Sequence, residues 1–483
     1  MPELPVRRRG LVLVVCCVAI LMVGVDVTAL NVALPAMERD LGASVSGMQW
    51  AVAAYSLAMA TLMLYAGSTG DRIGRKRVLV AGMVIFTAGS VLCALAPDLP
   101  ALIGFRVLQG VGAAGLGPVA MAIVAQAYPD RHERLRAMGV WMGAYGLGLA
   151  LGPVVGGLLV GAVGWRSVFW LNVPFGIIGA LAAVRGVAES RAQRARRPDR
   201  VGQLLVITVL GPLAYAVIEA PRAGLAAPSV VAGLAVAVAS CGALIVYERR
   251  CAEPLIEPVF FRDPRFCGAI AAVTVVFGSF GAFFFLAALY LQNPLRMSAS
   301  QAGLWMLVPA GVLAVSSLCA APLAHRYGAR PLLVGAGLAL ATSASLMAYF
   351  AADSARPLLV VEYVLFGLGI GLSNPLLLTA GVSGLPADRS GLASGMLTTF
   401  GRSAFAMGVA VLGALLNTGL HGAPLTDPAA FAAAIQPAWW ILTASGLAIV
   451  LLGTLITSAP THPPAGSPPS AAAAVALKEH AQP

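Results

Sequence analysis

Gly67-Ser68-Thr69-Gly70-Asp71-Arg72-Ile73-Gly74-Arg75-Lys76-Arg77 sets one acid and four cations between two apolar runs, 48–66 and 78–96. Each run is close to the roughly 20 apolar residues that cross a hydrocarbon core of roughly 30 Å. The stretch therefore reads as a short polar loop between two membrane spans. Its cations assign that loop to the cytoplasmic side, where Lys and Arg accumulate. A weaker echo occurs at Pro322-Leu323-Ala324-His325-Arg326-Tyr327-Gly328-Ala329-Arg330. A shift of 254 superposes Arg72 on Arg326 and Gly74 on Gly328, while Asp71 falls on His325.

Working outward, the same hydropathy criterion gives fourteen spans, near 11–37, 48–66, 78–96, 101–124, 137–161, 165–184, 201–219, 228–248, 267–291, 301–321, 332–351, 357–380, 392–417 and 437–457. The pair 201–248 is the least regular, because Gly211-Pro212 interrupts its first member. A second echo, Gly110-Val111-Gly112 through Pro118 against Gly367-Leu368-Gly369 through Pro375, recurs at a shift of 257. Two echoes at almost one shift indicate duplicated halves. The expected organisation is an all-α membrane protein: a cytoplasmic N-terminus 1–10, a six-helix half 11–184, a basic linker 185–200, an inserted pair 201–248, a second linker 249–266, a six-helix half 267–457 and a disordered tail 458–483 rich in Pro and Ala. Duplicated halves of this kind are the architecture of alternating-access transporters, with the binding site between them near the midplane.

Composition excludes other classes. Of the 483 residues 59% are hydrophobic and 11% charged, and the mean hydropathy is +0.87, far too apolar for a soluble protein. The net charge of +11 does not signal nucleic acid, since the cations come in short bursts between apolar runs. With both termini inside, twenty-four of the 31 basic residues face the cytoplasm, five face out (Arg39, Arg166, Arg222, Arg296, Arg356), and Arg106 and Arg402 lie within spans. Arginine outnumbers lysine 29 to 2, a mark of a GC-rich genome, which suits a bacterial inner membrane. The seven cysteines form no CxxC pair and the five histidines no metal spacing, so no metal, cofactor or enzymatic set is expected. Gly110-Val111-Gly112-Ala113-Ala114-Gly115 formally matches a dinucleotide fingerprint, but no strand precedes it.

Four groups carry chemistry. Asp26 is the one acid well inside a span, about eleven residues or roughly 16 Å from its outer end. An intramembrane carboxyl needs a proton, a partner or a wet cavity, which makes it the candidate proton-coupling group; the alternative is a structural carboxylate satisfied by Thr28 or Asn31. Arg106 cannot shed its charge and is expected to pair with Asp26, or else to snorkel outward, and Gln109 lies one turn away from it. Asn31, Gln109, Glu362 and Arg402 are the candidate cavity residues for substrate. Gly148-x-x-x-Gly152-Pro153-x-x-Gly156-Gly157 puts small residues at four-residue spacing on the fifth span, with a proline that frees a backbone carbonyl, so another helix can approach closely. Glu219 and Glu248 are expected to cap the ends of the inserted pair.

These motifs resemble the major facilitator superfamily, specifically its fourteen-span drug:proton antiporter branch, over about residues 10–457. The Gly67–Arg77 segment is similar to the superfamily's loop between the second and third spans, which implies that Gly67, Asp71, Arg72, Gly74 and Arg75 form a latch for the outward-facing state. Val25-Asp26-Val27-Thr28 through Pro35 resembles the branch's first-span signature, Arg106-x-x-Gln109-Gly110 its proton-transfer motif, and Gly148 to Gly157 its antiporter motif. The resemblance implies a proton-coupled exporter of bulky amphipathic compounds that works as a monomer, with protons as the coupling ion. The chain has no acid around Arg402, which leaves neutral or anionic compounds as candidate cargo. Competing readings are an exporter of a lipid or other metabolite on the same fold, and a non-transporting membrane sensor.

Overall fold

The protein is described here from a computed structural model covering residues 6–192, 199–251, 253–350, 356–383 and 390–458. Among these residues there are fourteen α-helices and no strand: α1 Val6–Leu41, α2 Val45–Ile73, α3 Arg75–Ala94, α4 Leu99–Ala127, α5 Arg131–Val163, α6 Ser167–Gly186, α7 Arg200–Ala223, α8 Pro228–Glu248, α9 Pro264–Gln292, α10 Ala299–Tyr327, α11 Ala329–Phe350, α12 Arg356–Val382, α13 Ser390–Leu420 and α14 Pro428–Ser458. All fourteen are long and apolar enough to cross a bilayer. The tail expected to be disordered lies outside the described residues after Ser458, as do 1–5 of the N-terminal segment and 193–198 of the first linker.

Polar side chains at the interfaces start the helices. Ser44, Asp98, Asp130, Asp199 and Asp263 each accept a backbone N–H from the first turn that follows, and Ser298 with Gln301 forms a reciprocal capping box. The Asp130 carboxyl is held below its ordinary value by the N–H groups of Glu133 and His132.

Several expectations are corrected. Most of the segment 67–77 is not a loop: α2 continues through Gly67, Asp71 and Arg72 to Ile73, Gly74 alone breaks the helix at φ 126°, and Arg75 begins α3. Gly328, at φ 85°, makes the equivalent break between α10 and α11. Gly211-Pro212 does not interrupt α7, which runs unbroken from Arg200 to Ala223. The second linker holds a 3-10 turn, Pro258–Arg262, that buries Phe260. Glu219 is a tether rather than a cap, since its carboxylate accepts the Trp50 indole N–H of α2 at 3.0 Å.

In the N-terminal half α1 packs on α5 and α6, and α4 on α2 and α3; in the C-terminal half α9 packs on α13 and α14, and α12 on α10 and α11. The halves meet where α2 crosses α13 and α5 crosses α10. The inserted α7 lies against α2 and α13, whereas only 11% of the apolar stretch of α8 is buried, against 72% for α9, so α8 faces lipid.

Close backbone approaches show how faithfully the two halves repeat. On α4, Gly110 lies against the Tyr55 carbonyl of α2, and Gly112 against Gly82 and Phe86 of α3. On α12, Gly367 lies against the Pro309 carbonyl of α10, and Gly369 against Ala336 and Leu340 of α11. The partners differ by 254 and the glycines by 257, so the contacts are the same pairs repeated. Likewise Gly24 meets Tyr145 and Gly148 meets Leu21, while Gly281 meets Phe405 and Gly408 meets Gly278. This second set places α1 on α9 at a shift of 257.

Hydrogen bonds between described residues that join the halves lie toward the end opposite the arginine-rich loops. Gln49 donates to the carbonyls of Val409 and Ala410, Gln292 to that of Val32 and Ser300 to that of Gly157, and Asn417 donates to the Ser46 hydroxyl.

Candidate functional site

Asp26, Arg106 and Gln109, far apart in sequence, form one hydrogen-bonded cluster in the N-terminal half. Arg106 Nη1 lies 2.7 Å from Asp26 Oδ2 and 2.6 Å from Gln109 Oε1, and its Nε donates to the Ala51 carbonyl at 3.0 Å. Gln109 Nε2 donates to Asp26 Oδ1 at 2.8 Å and to Ser90 Oγ at 2.8 Å. Asp26 and Arg106 are each about 1% exposed. Two charges this deep are tolerated because they neutralise each other, make further hydrogen bonds with Gln109, Asn172 and the Ala51 carbonyl, and lie beside aromatic rings. Arg106 does not snorkel, and neither Thr28 nor Asn31 satisfies Asp26: Thr28 bonds to the carbonyls of Gly24 and Leu149, and Asn31 to those of Val27 and Thr28.

Sequence reasoning missed three members. Asn172 of α6 donates to Asp26 Oδ1 at 3.0 Å, so this carboxylate gathers donors from α4 and α6. Ser90 of α3 completes the cluster by accepting from Gln109. Tyr55 of α2 lies beneath the Arg106 guanidinium, 4.2 Å from ring centroid to Cζ, and the Phe169 ring lies 5.8 Å away. The available signal was the presence of Asn172 and Ser90 as polar residues within otherwise apolar spans.

Other candidates lie elsewhere. Arg402 of α13 faces the seam between the halves, with its guanidinium 4.9 Å from the Tyr145 ring of α5. Glu362 is fully buried in the C-terminal half, without a hydrogen-bond partner for either carboxylate oxygen, and no described contact links it to Asp26. Asn31 bonds only within α1, and its side-chain oxygen has no partner.

The glycine motif of α5 works on two faces. Gly148, Gly152 and Gly156 lie against the α1 backbone between Leu21 and Ala29; a Cβ on Gly148 would come within 2.6 Å of the Leu21 carbonyl oxygen. Gly157 faces α10 instead, beside Ala299 and Gly303, and Gly303 abuts the Pro153 carbonyl. Pro153 has no N–H for the carbonyl four residues earlier, that of Leu149, and the Thr28 hydroxyl donates to this oxygen at 3.1 Å.

The latch residues cluster at the arginine-rich end, within the N-terminal half. Arg75 pairs with Asp71 at 2.8 Å and donates to Gln126 Oε1. The segment after α6 closes over them: Arg75 N donates to the Ser190 carbonyl, Ala192 N to that of Asp71, and Lys76 N to Glu189 Oε1. Arg72 is exposed and Gly67 packs against Pro118. Among the described residues no group of three His, Cys, Asp or Glu could hold a metal. A cleft of about 480 Å³ lies at the arginine-poor rim, where Asp40 pairs with Arg166 and Arg39 donates to the Pro35 carbonyl.

Residues 16–409 match the Major Facilitator Superfamily. The chain belongs to that superfamily. Members similar to it include the multidrug resistance protein Stp of Mycobacterium tuberculosis, 36% identical over 85% of this chain and 76% of the relative. The methylenomycin A resistance protein of Streptomyces coelicolor is 34% identical over 84% of this chain and 86% of the relative. The nucleoside transporter NupG shares the superfamily fold, at a TM-score of 0.66 and 12% identity, over 93% of this chain and 99% of that one. As a superfamily member the protein is a multi-pass membrane transporter and not an enzyme.

Proposed function

We propose that the protein is a proton-coupled exporter of bulky amphipathic compounds, drugs or antibiotics among them, in a bacterial inner membrane. The resistance and multidrug names of its relatives support the cargo class. The observation that carries the coupling is the sealed Asp26–Arg106–Gln109 cluster. Arg106 stays charged, so a proton arriving from outside can be taken up only on Asp26. When Asp26 is neutralised, Arg106 still has Gln109 Oε1 and the Ala51 carbonyl, and Asn172 and Gln109 still have the Asp26 oxygens. The cluster therefore keeps its hydrogen bonds in both protonation states, the neutral one at the cost of the counter-charge to Arg106, while the charge on this face of α1 changes by one unit, as alternating proton loading requires.

In this reading the arginine-rich end, with both termini, faces the cytoplasm. The halves are then closed on the outside, through Gln49, Gln292, Ser300 and Asn417. Among the described residues the bonds of Asp71 and Arg75 stay within the N-terminal half, which supports an inward-facing state. Cargo enters between the halves from the cytoplasm, and the halves rock about the site, with protons as the only coupling agent and a single chain as the working unit. Inside-out vesicles under an imposed pH gradient, challenged with a panel of amphipathic antibiotics and dyes, test the reading. Compound-dependent proton release by the wild type and none by Asp26→Asn is expected; full coupled export by Asp26→Asn overturns it.

A further inference from the structure

We propose that Arg402, with Tyr145 and Tyr55, is a receptor for the anionic group of an acidic aromatic compound at the seam between the halves. This inference rests on the reading of that seam as the transport route. Arg402 is one of two arginines deep within spans, and the two differ in one respect. Arg106 is met by a carboxylate, an amide oxygen and a carbonyl. Arg402, 8% exposed, is met by the face of the Tyr145 ring and, among the described residues, by no carboxylate or other hydrogen-bond acceptor. A guanidinium cannot be neutralised by losing its proton, so a buried one without a counter-charge is an incomplete site.

The groups around it are also unsatisfied. The hydroxyls of Tyr55 and Tyr145 are buried without a partner, and so is that of Thr399, one turn from Arg402 on α13. Tyr55 lies within electrostatic reach of the Asp26–Arg106 pair and also of Arg402 and Tyr145. The set thus spans the seam, with Tyr55 on α2, Tyr145 on α5 and Arg402 on α13. It offers a guanidinium fork and phenolic O–H donors, and the carboxylate within reach of Tyr55, that of Asp26, is already neutralised by Arg106. Such a donor set matches a planar oxyanion, a carboxylate or an ionised phenol. The half-buried Tyr145 ring supplies an apolar wall for a flat ring beside the guanidinium. A lipophilic cation would find here only an unpaired positive charge.

Purified protein in nanodiscs is titrated at pH 7.5 with 9-anthracenecarboxylate and with its neutral amide, following ligand fluorescence. The wild type is expected to bind the acid at least tenfold more tightly than the amide. Arg402→Gln should remove that preference by weakening the acid alone, and Arg402→Lys should keep part of it. Thermal midpoints of the three proteins report whether each is folded. Equal affinities for acid and amide, no acid binding by the wild type, or a preference that survives Arg402→Gln overturns the proposal. The vesicle assay separates the two readings. Proton release with neutral dyes but no acid preference removes the anion site and leaves coupled export standing. Acid preference without proton release does the reverse.

Discussion

At three matching positions the two halves hold opposite chemistries. Shifting by 257 carries Asp26, Arg106 and Gln109 onto Phe283, Tyr363 and Phe366. The first three form a hydrogen-bonded charge cluster. The second three form an aromatic one, with Phe283 stacked on Phe366 at 3.6 Å between centroids and meeting Tyr363 edge-on at 5.3 Å. Trp439, on α14, adds a further edge contact to Phe283. The same helices, approaching through equivalent glycines, thus accept either a salt-bridged network or a ring stack at one place in the frame. The frame therefore does not require the charges. In the N-terminal half they serve something other than packing, and in the C-terminal half the rings supply the dispersion and shape that hold three helices together.

Breaking the polar cluster should have the largest effect. Asp26→Asn leaves Arg106 buried without its counter-charge, and loss of one partner of a buried pair destabilises by about 3–5 kcal/mol. Proton-driven export should be abolished. The double variant Asp26→Asn with Arg106→Gln is expected to recover most of the thermal stability and none of the coupled export. Recovery of export in that variant would show that the charges only pack. The opposite pattern is expected from the aromatic cluster. Phe283→Ala should lower stability by about 3–5 kcal/mol through a cavity, while export per folded molecule remains proton-driven.

The repeat itself is tested by Gly148→Ala and Gly408→Ala. Both insert a methyl against a facing backbone, of α1 and α9 respectively, and each should destabilise by about 1–3 kcal/mol. Similar losses in thermal unfolding would show that the equivalence is energetic as well as geometric. The smallest effect is expected at Glu362, a buried carboxyl without a partner. Glu362→Gln should leave stability within about 1 kcal/mol of the wild type or raise it, because an unpaired acid in the interior gains nothing from ionisation. A large loss would reveal a partner for Glu362 in another conformation.

Most of the fold was legible in the sequence, because a bilayer leaves a helix no alternative to satisfying its own backbone and hydropathy then locates the spans. What hydropathy misjudges is where helices stop. It ends α2 at the polar residues, yet a helix can continue into the interface, and the true boundary is the positive φ of Gly74. The Asp26–Arg106 pairing was legible, since two charges in apolar spans at compatible depth must find each other. Asn172 was not, because an uncharged amide in a span creates no comparable demand. Nor was Glu189, whose role depends on the segment after α6 folding back over α3, which no local pattern announces. The isolation of Glu362 from the polar cluster is likewise a matter of which helix face it occupies.

The bond between the Thr28 hydroxyl and the Leu149 carbonyl has a mechanical meaning. Pro153 leaves one rung of the α5 ladder open, and α1 fills it two residues beyond Asp26. Together with the glycine contacts on either side, this ties α1 and α5 into a single stiff lever. Eight residues along α5, about 12 Å by helical rise, Gly157 presses on α10 of the other half. A displacement that begins at the acid thus has a short load path to the seam, with no flexible side chain in series to absorb it.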